Sequence, residues 1–148
     1  HAMGLLDNEI NDLQLLAMFH DLGKIAISDH ILKESAQLSP EEARELKRHT
    51  EIGYRIAQSV PELAPIAECI LSHHEWWNGQ GYPQGLKGAA IPLLSRIIAI
   101  ADAYDKLITG SSTQPAMQPQ EALKTIAAAA GTQFDPDITA VFLRQMGN

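Results

Sequence analysis

The sequence predicts an all-α fold, a compact multi-helix domain. Three observations carry this prediction. Apolar residues recur at three- and four-residue steps through most of the chain. Serine, proline and glycine stand where helices would start and stop. No stretch shows the period-two alternation with β-branched enrichment that a half-buried strand needs.

Residues 8–22 read as a first helix, with Leu13, Leu16, Ala17 and His20 on one face, Asp7 or Asn8 as cap and Gly23 as stop. Lys24 to Ile27 reads as an extended connector, and 29–33 as a short turn of helix. Ser39-Pro40-Glu41-Glu42 is the clearest start in the chain. Serine sits at the cap, proline in the first turn and glutamate three residues after the cap, which makes a capping box. That helix is predicted to run to Ser59, with Leu46, His49, Ile52, Gly53 and Ile56 inward. Pro61 and Pro65 punctuate the join to a helix over 63–77, which turns Ile66, Cys69, Ile70, His73 and Trp77 inward. A loop with glycine at 79, 81, 85 and 88 follows. Pro92 then opens a helix to Leu107 whose inner face holds Leu94, Ile98 and Asp102. Thr109 to Pro119 reads as a polar loop. A helix over 119–129 stops at Gly131, and Asp135-Pro136 begins a last one ending near Met146.

The 148 residues, 45% hydrophobic, suit one domain with a real core. His1-Ala2-Met3-Gly4 reads as an expression scar, which leaves residues 5–148 as the domain. Apolar runs such as Ile97 to Ala101 are too short to span a bilayer, and no secretory signal is expected. The single cysteine, Cys69, cannot form an intramolecular disulfide, so a reducing, cytoplasmic setting is expected. Its place beside Ile66 and Ile70 reads as a small buried apolar residue. A net charge of −7 argues against binding DNA through its backbone. A small phosphorylated ligand remains open, because bound cations would reverse the local field.

The chemistry lies in His20-Asp21, His49, His73-His74 and Asp102, which the helical spacing sets on apolar stripes. One histidine on such a stripe is more often a neutral core group than a ligand. Four of the five histidines after residue 4 follow the pattern, with two aspartates besides. An unpaired buried polar group costs about 1–3 kcal/mol, so a shared partner is needed, and a metal centre supplies one. Asp21 is the natural bridging carboxylate, and His30 falls outside the pattern and reads as exposed. Imidazole and carboxylate without thiolate favour Fe, Mn or Zn. Two ions about 3.5–4 Å apart would clamp a phosphodiester and acidify a water between them. Lys24 reads either as a phosphate partner or as a solvated lysine at a helix end. Tyr82 reads either as a ligand contact or as packing at the loop base, and Trp76 and Trp77 as one lid and one core residue.

Together these motifs resemble the HD-GYP family, the bacterial cyclic di-GMP phosphodiesterases of the HD metal-hydrolase superfamily. The resemblance runs from Leu15 to the C-terminus. It rests on His20-Asp21-Leu22-Gly23-Lys24, His49, His73-His74-Glu75, Gly81-Tyr82-Pro83, Gly85-Leu86-Lys87-Gly88, Ile100-Ala101-Asp102 and Gly131-Thr132-Gln133-Phe134-Asp135-Pro136. It implies an HD-type domain in which His20, Asp21, His49, His73, His74 and Asp102 ligate two or three divalent ions, iron or manganese. It also implies Asp21 and Lys24 in catalysis, Lys24 and Tyr82 on the substrate phosphates, and linear dinucleotide or GMP as product. An upstream sensor or receiver domain, and a diguanylate cyclase-type partner domain, come with the same resemblance.

Three departures stand out. The family's upstream helix, with a further ligand histidine, is expected to be missing here. Trp76 and Asn78 stand where arginine and aspartate usually follow the His-His-Glu. Ser111-Ser112-Thr113-Gln114 replaces the usual arginine-proline-tyrosine and basic residue after the last metal aspartate. Two functions are therefore weighed: a metal-dependent phosphodiesterase, or a catalytically weak signalling module that acts through protein contacts. The complete set of six ligands favours the enzyme.

Overall fold

The computed structural model describes residues 2–33, 37–111 and 113–147. His1 of the leading four residues and Ser112 of the substituted loop lie outside them. Eight α-helices are found among the described residues, with two isolated bridges and no strand. They are α1 (Asp7–Phe19), α2 (Asp29–Lys33), α3 (Pro40–Lys47), α4 (His49–Gln58), α5 (Ala67–Ser72), α6 (Leu93–Thr109), α7 (Pro119–Ala128) and α8 (Pro136–Met146). Short 3-10 turns cover Leu22–Ala26, Ala64–Ile66 and Gly88–Ala90. The all-α expectation holds.

Two apolar cores meet at α6. Leu16 of α1, Ala57 of α4, Ile66, Ala67, Cys69 and Ile70 around α5, and Ile98 of α6 form the first. Ile100 of α6, Ile126 of α7, Phe134 and Ile138 of α8 form the second, with Met3 packed against it. Asp102 follows two residues after Ile100, so α6 carries it out of the junction of the cores. Asp135 fixes α8 to α6. Its Oδ1 accepts the N–H groups of Asp137 and Ile138, and its Oδ2 pairs with Arg96 Nη1 at 2.7 Å.

The expected helices are right in place and wrong at several ends. The first stops at Phe19, and its cap position is Leu6, whose N–H is taken by Glu9 at 2.8 Å, not Asp7 or Asn8. Leu22–Ala26 is a 3-10 turn where an extended connector was expected. The helix expected from Pro40 to Ser59 keeps its capping box at Ser39 but breaks at Arg48. The helix expected over 63–77 shrinks to a 3-10 turn and α5, which ends at Ser72.

Side chains satisfy the carbonyl groups at these breaks. The His49 ring donates from Nδ1 to Leu46 O at 2.7 Å, and Thr50 Oγ1 donates to Lys47 O at 3.1 Å. His73 Nδ1 does the same to Ile70 O at 2.6 Å. A helix end with its carbonyls already paired needs neither glycine nor proline to stop.

The 3-10 turn after Asp21 lies directly on the start of α4. A Cβ built on Gly23 would stand 1.8 Å from the His49 carbonyl oxygen, so the two backbones approach too closely for any side chain. The contact is what brings Asp21 and His49 together. Gly23→Ala is accordingly expected to lower the unfolding free energy by about 3 kcal/mol. The check is a fall in the urea midpoint with an unchanged denaturant slope.

Candidate metal centre

The six predicted ligands come from helix ends, not from the middle of apolar stripes, with Asp102 the exception. His20 is the residue after α1 and Asp21 follows it; His49 is the first residue of α4; His73 and His74 follow α5. Their ligand atoms form two adjoining sets, each within 4.8 Å: Asp21, His49, His73 and His74; and His20, Asp21 and Asp102. Asp21 belongs to both. His30 is exposed and pairs with Glu42 at 3.3 Å, apart from both sets.

Three of the imidazoles are oriented by the same device. Nδ1 of His20, His49 and His73 donates to backbone carbonyls of the preceding turn, at 2.6–3.2 Å. A carbonyl can only accept, so Nδ1 carries the proton and Nε2 presents its lone pair. The Nε2 atoms of His49 and His73 lie 3.4 and 3.5 Å from Asp21 Oδ1. Nε2 of His20 lies 3.4 Å from Asp21 Oδ2 and 3.5 Å from Asp102 Oδ1.

These separations are too long, or too poorly aligned, to be hydrogen bonds. His20 Nε2, Asp21 Oδ1, His49 Nε2 and His73 Nε2 are all buried without a hydrogen-bond partner. Four orphaned polar atoms aimed at one space would each cost about 1–3 kcal/mol unless something satisfies them. Imidazole lone pairs facing a shared carboxylate suit a divalent cation, so the residues present fit a metal.

The field is arranged to match. Burial opposes a charged Asp21, but the positive charge of Lys24, 3.1 Å from Oδ2, favours the ionised carboxylate. Burial also opposes ionised Asp102, yet His20 and Lys106 bring it down to about 2. Burial lowers His73, and it pushes His74 down to about 2 with help from His73, His49 and Lys106. Both rings therefore stay neutral and able to donate a lone pair. For His20 burial works the other way from its partners, and Asp102 and Asp21 prevail to raise it.

A cavity of about 400 Å³ opens beside the centre. Lys24, His49, His74, Tyr82, Ser111 and Gln114 are among its lining residues. Lys24 Nζ sits 3.1 Å from Asp21 Oδ2. Tyr82 stacks on His74 with ring centres 5.0 Å apart, and burial, then Asp21 and Asp102, raise its hydroxyl so that it stays a protonated donor. Lys47 Nζ lies over the Tyr82 ring, 5.0 Å from its centre.

The glycine loop is held in two ways. Buried Glu75 accepts the N–H groups of Gln84 and Leu86 at 2.6 and 2.9 Å. A Cβ on Gly81 would stand 2.2 Å from Trp76 N, so the loop closes on its own backbone. Trp77 and Asn78 then donate to the carbonyls of Gln133 and Thr132. Trp76 is 36% exposed, and Trp77 lies half-buried beneath Arg96. Sequence reasoning missed Lys106, whose Nζ lies 2.6 Å from Asp102 Oδ2. Its four-residue offset from Asp102 on one helix was the available signal.

With this geometry in hand, a family model described as HD domain matches residues 1–138. The chain belongs to the HD domain family. Among its relatives, a cyclic di-GMP phosphodiesterase of Thermotoga maritima is 38% identical over 96% of this chain and 39% of its own length. A cyclic di-GMP phosphodiesterase response regulator, RpfG, of Xanthomonas campestris is also 38% identical, over 96% of this chain and 38% of its own length. The chain thus spans about two fifths of the length of these curated relatives. The crystal structure of a cyclic GMP-AMP specific phosphodiesterase of V. cholerae superposes with a TM-score of 0.76 at 26% identity, covering 99% of this chain and 40% of that one. The HD-GYP resemblance read from the motifs stands. Among the described residues, no helix is long and apolar enough to cross a membrane.

In metal-stripped protein, the depressed Asp102 contributes stability above the ordinary aspartate value of 3.8 and loses it as pH falls to about 2. Asp102→Asn is therefore expected to cost about 2 kcal/mol at pH near 6 and almost nothing at pH near 2. Urea denaturation of both proteins in chelator across that range checks the sign and the window.

Proposed function

We propose that this domain is a metal-dependent phosphodiesterase that hydrolyses a cyclic dinucleotide, with cyclic di-GMP as substrate and linear dinucleotide or GMP as product. The observation that carries the reading is the Asp21 carboxylate, shared by two sets of inward, unsatisfied ligand atoms. The names of the relatives support the substrate class. His20, Asp21, His49, His73, His74 and Asp102 would hold two or three divalent ions. Nitrogen and oxygen donors without thiolate favour Fe, Mn or Zn, and the HD-GYP resemblance narrows the reading to iron or manganese. On this reading the domain works in a longer cytoplasmic signalling protein, behind a sensor or receiver domain and alongside diguanylate cyclase-type domains. The response-regulator name of one relative supports that setting.

When bound, the ions would supply Lewis acidity and acidify a water at the site. The protein does the rest. Asp21, held ionised, accepts a hydrogen bond from the attacking water and orients it. Lys24 and the protonated Tyr82 donate to phosphate oxygens from the cavity wall. As the water oxygen bonds to phosphorus, the bond from phosphorus to one ribose oxygen breaks, and that oxygen takes up the proton that the attacking water gives up. Tyr82 stacked on neutral His74 keeps one wall of the cavity apolar and the ring fixed.

A changed substrate is the second reading, favoured by neutral Ser111 and Gln114 in the cavity wall where the resemblance leads one to expect basic residues. The solved cyclic GMP-AMP phosphodiesterase supports the class of alternative. Elemental analysis and product chromatography with cyclic di-GMP and 3′3′-cGAMP test both readings. Asp21→Asn is expected to reduce bound metal below half of wild type and hydrolysis by about a hundredfold or more. An active variant lacking metal would end the proposal.

The cavity wall yields a second expectation. Ser111→Arg with Gln114→Lys should tighten cyclic di-GMP binding about tenfold at low salt, since each charge-assisted hydrogen bond contributes about 1.5–3 kcal/mol. Calorimetry at low and moderate salt measures the gain and its screening.

A further inference from the structure

We propose that Lys106 is a phosphate-binding residue, whose ammonium supplies the positive charge that the loop around Ser111 and Gln114 lacks. This rests on the phosphodiesterase reading above. Lys106 stands four residues after Asp102 on α6, with its Nζ on Asp102 Oδ2 at 2.6 Å. A lysine at that spacing is ordinarily a helix-surface partner of small effect.

Position separates Lys106 from that ordinary case. It lines the 400 Å³ cavity beside Lys24, Tyr82, Ser111 and Gln114. It also lines a second pocket, of about 120 Å³, against His73, His74 and Asp102. The ammonium therefore stands where the ligand sets meet the space open to a substrate. Lys24 is arranged in the same way, on Asp21 Oδ2 at 3.1 Å. Among the described residues lining the larger cavity, these two lysines carry the positive charge, in a chain of net charge −7. A phosphodiester entering without them would meet an acidic protein, a serine hydroxyl and an amide.

Both lysines now neutralise carboxylates of the candidate centre. Each bonds a single oxygen of its carboxylate, and Asp102 keeps Oδ1 toward His20. Divalent charge at those carboxylates would replace the ammonium partners and free their flexible stems to turn toward phosphate oxygens. Lys106, with 54% of its side chain exposed, has room for that movement.

The test compares wild type, Lys106→Met and Lys106→Arg, each loaded with manganese. Calorimetry with a hydrolysis-resistant phosphorothioate analogue of cyclic di-GMP gives affinity, and elemental analysis gives metal per chain. Lys106→Met is expected to weaken binding about tenfold or more at low salt, with the gap narrowing as salt screens the exposed charge. Lys106→Arg should stay within about threefold of wild type, since it keeps the charge. Manganese content should be equal in all three. Equal affinity of Lys106→Met and wild type overturns the proposal and leaves the phosphodiesterase reading intact. Loss of manganese in Lys106→Met also overturns it, because Lys106 would then be positioning Asp102. If wild type itself fails to bind the analogue, cyclic di-GMP falls as the substrate and the role of Lys106 toward it falls with it.

Discussion

Everything in this domain answers to one constraint: Asp21 must sit between three imidazoles without hydrogen-bonding any of them. Oδ1 lies 3.4 and 3.5 Å from two Nε2 atoms, and Oδ2 lies 3.4 Å from a third. Such an arrangement is costly unless a cation fills it. The fold meets the demand by bringing the end of α1, the start of α4 and the end of α5 to one place. Gly23 permits the approach of the first two, and Ile66 and Ile70 of the first core seat the third.

How much of this was legible in the sequence depended on what ends each helix. Where residue chemistry marks a boundary, the reading succeeds: Ser39-Pro40 starts α3 and Asp135-Pro136 starts α8. Where an imidazole does the capping, the sequence gives no warning. His49 and His73 look like inward residues of long helices, because their spacing fits the apolar stripe. In fact their Nδ1 atoms pair carbonyls of a turn that has just ended. The identity of the candidate ligands was readable from clustering of polar groups among apolar ones. Their location at helix ends was not, since a side chain that is both cap and candidate ligand leaves no separate signature for either role. Lys106 was missed for a related reason, as a lysine four residues from an aspartate has the pattern of a common surface pair.

The electrostatics set a locally balanced centre within a chain of net charge −7. Lys24 and Lys106 each neutralise one carboxylate, while burial keeps His73 and His74 uncharged. Neutral imidazoles, ionised carboxylates and a protonated tyrosine are the states that metal-assisted phosphodiester chemistry calls for. The membership in the HD domain family and the relatives named as cyclic dinucleotide phosphodiesterases agree with that chemistry.

Helix α6 touches more of the molecule than any ligand does. Over 17 residues it contributes Ile98 to one core and Ile100 to the other, then Asp102 and Lys106, and it ends at the loop carrying Ser111 and Gln114. A helix of that length is a rod of about 25 Å with little compliance along its axis. One backbone therefore fixes the spacing between an apolar contact of the second core, the Asp102 carboxylate and the cavity-lining Lys106.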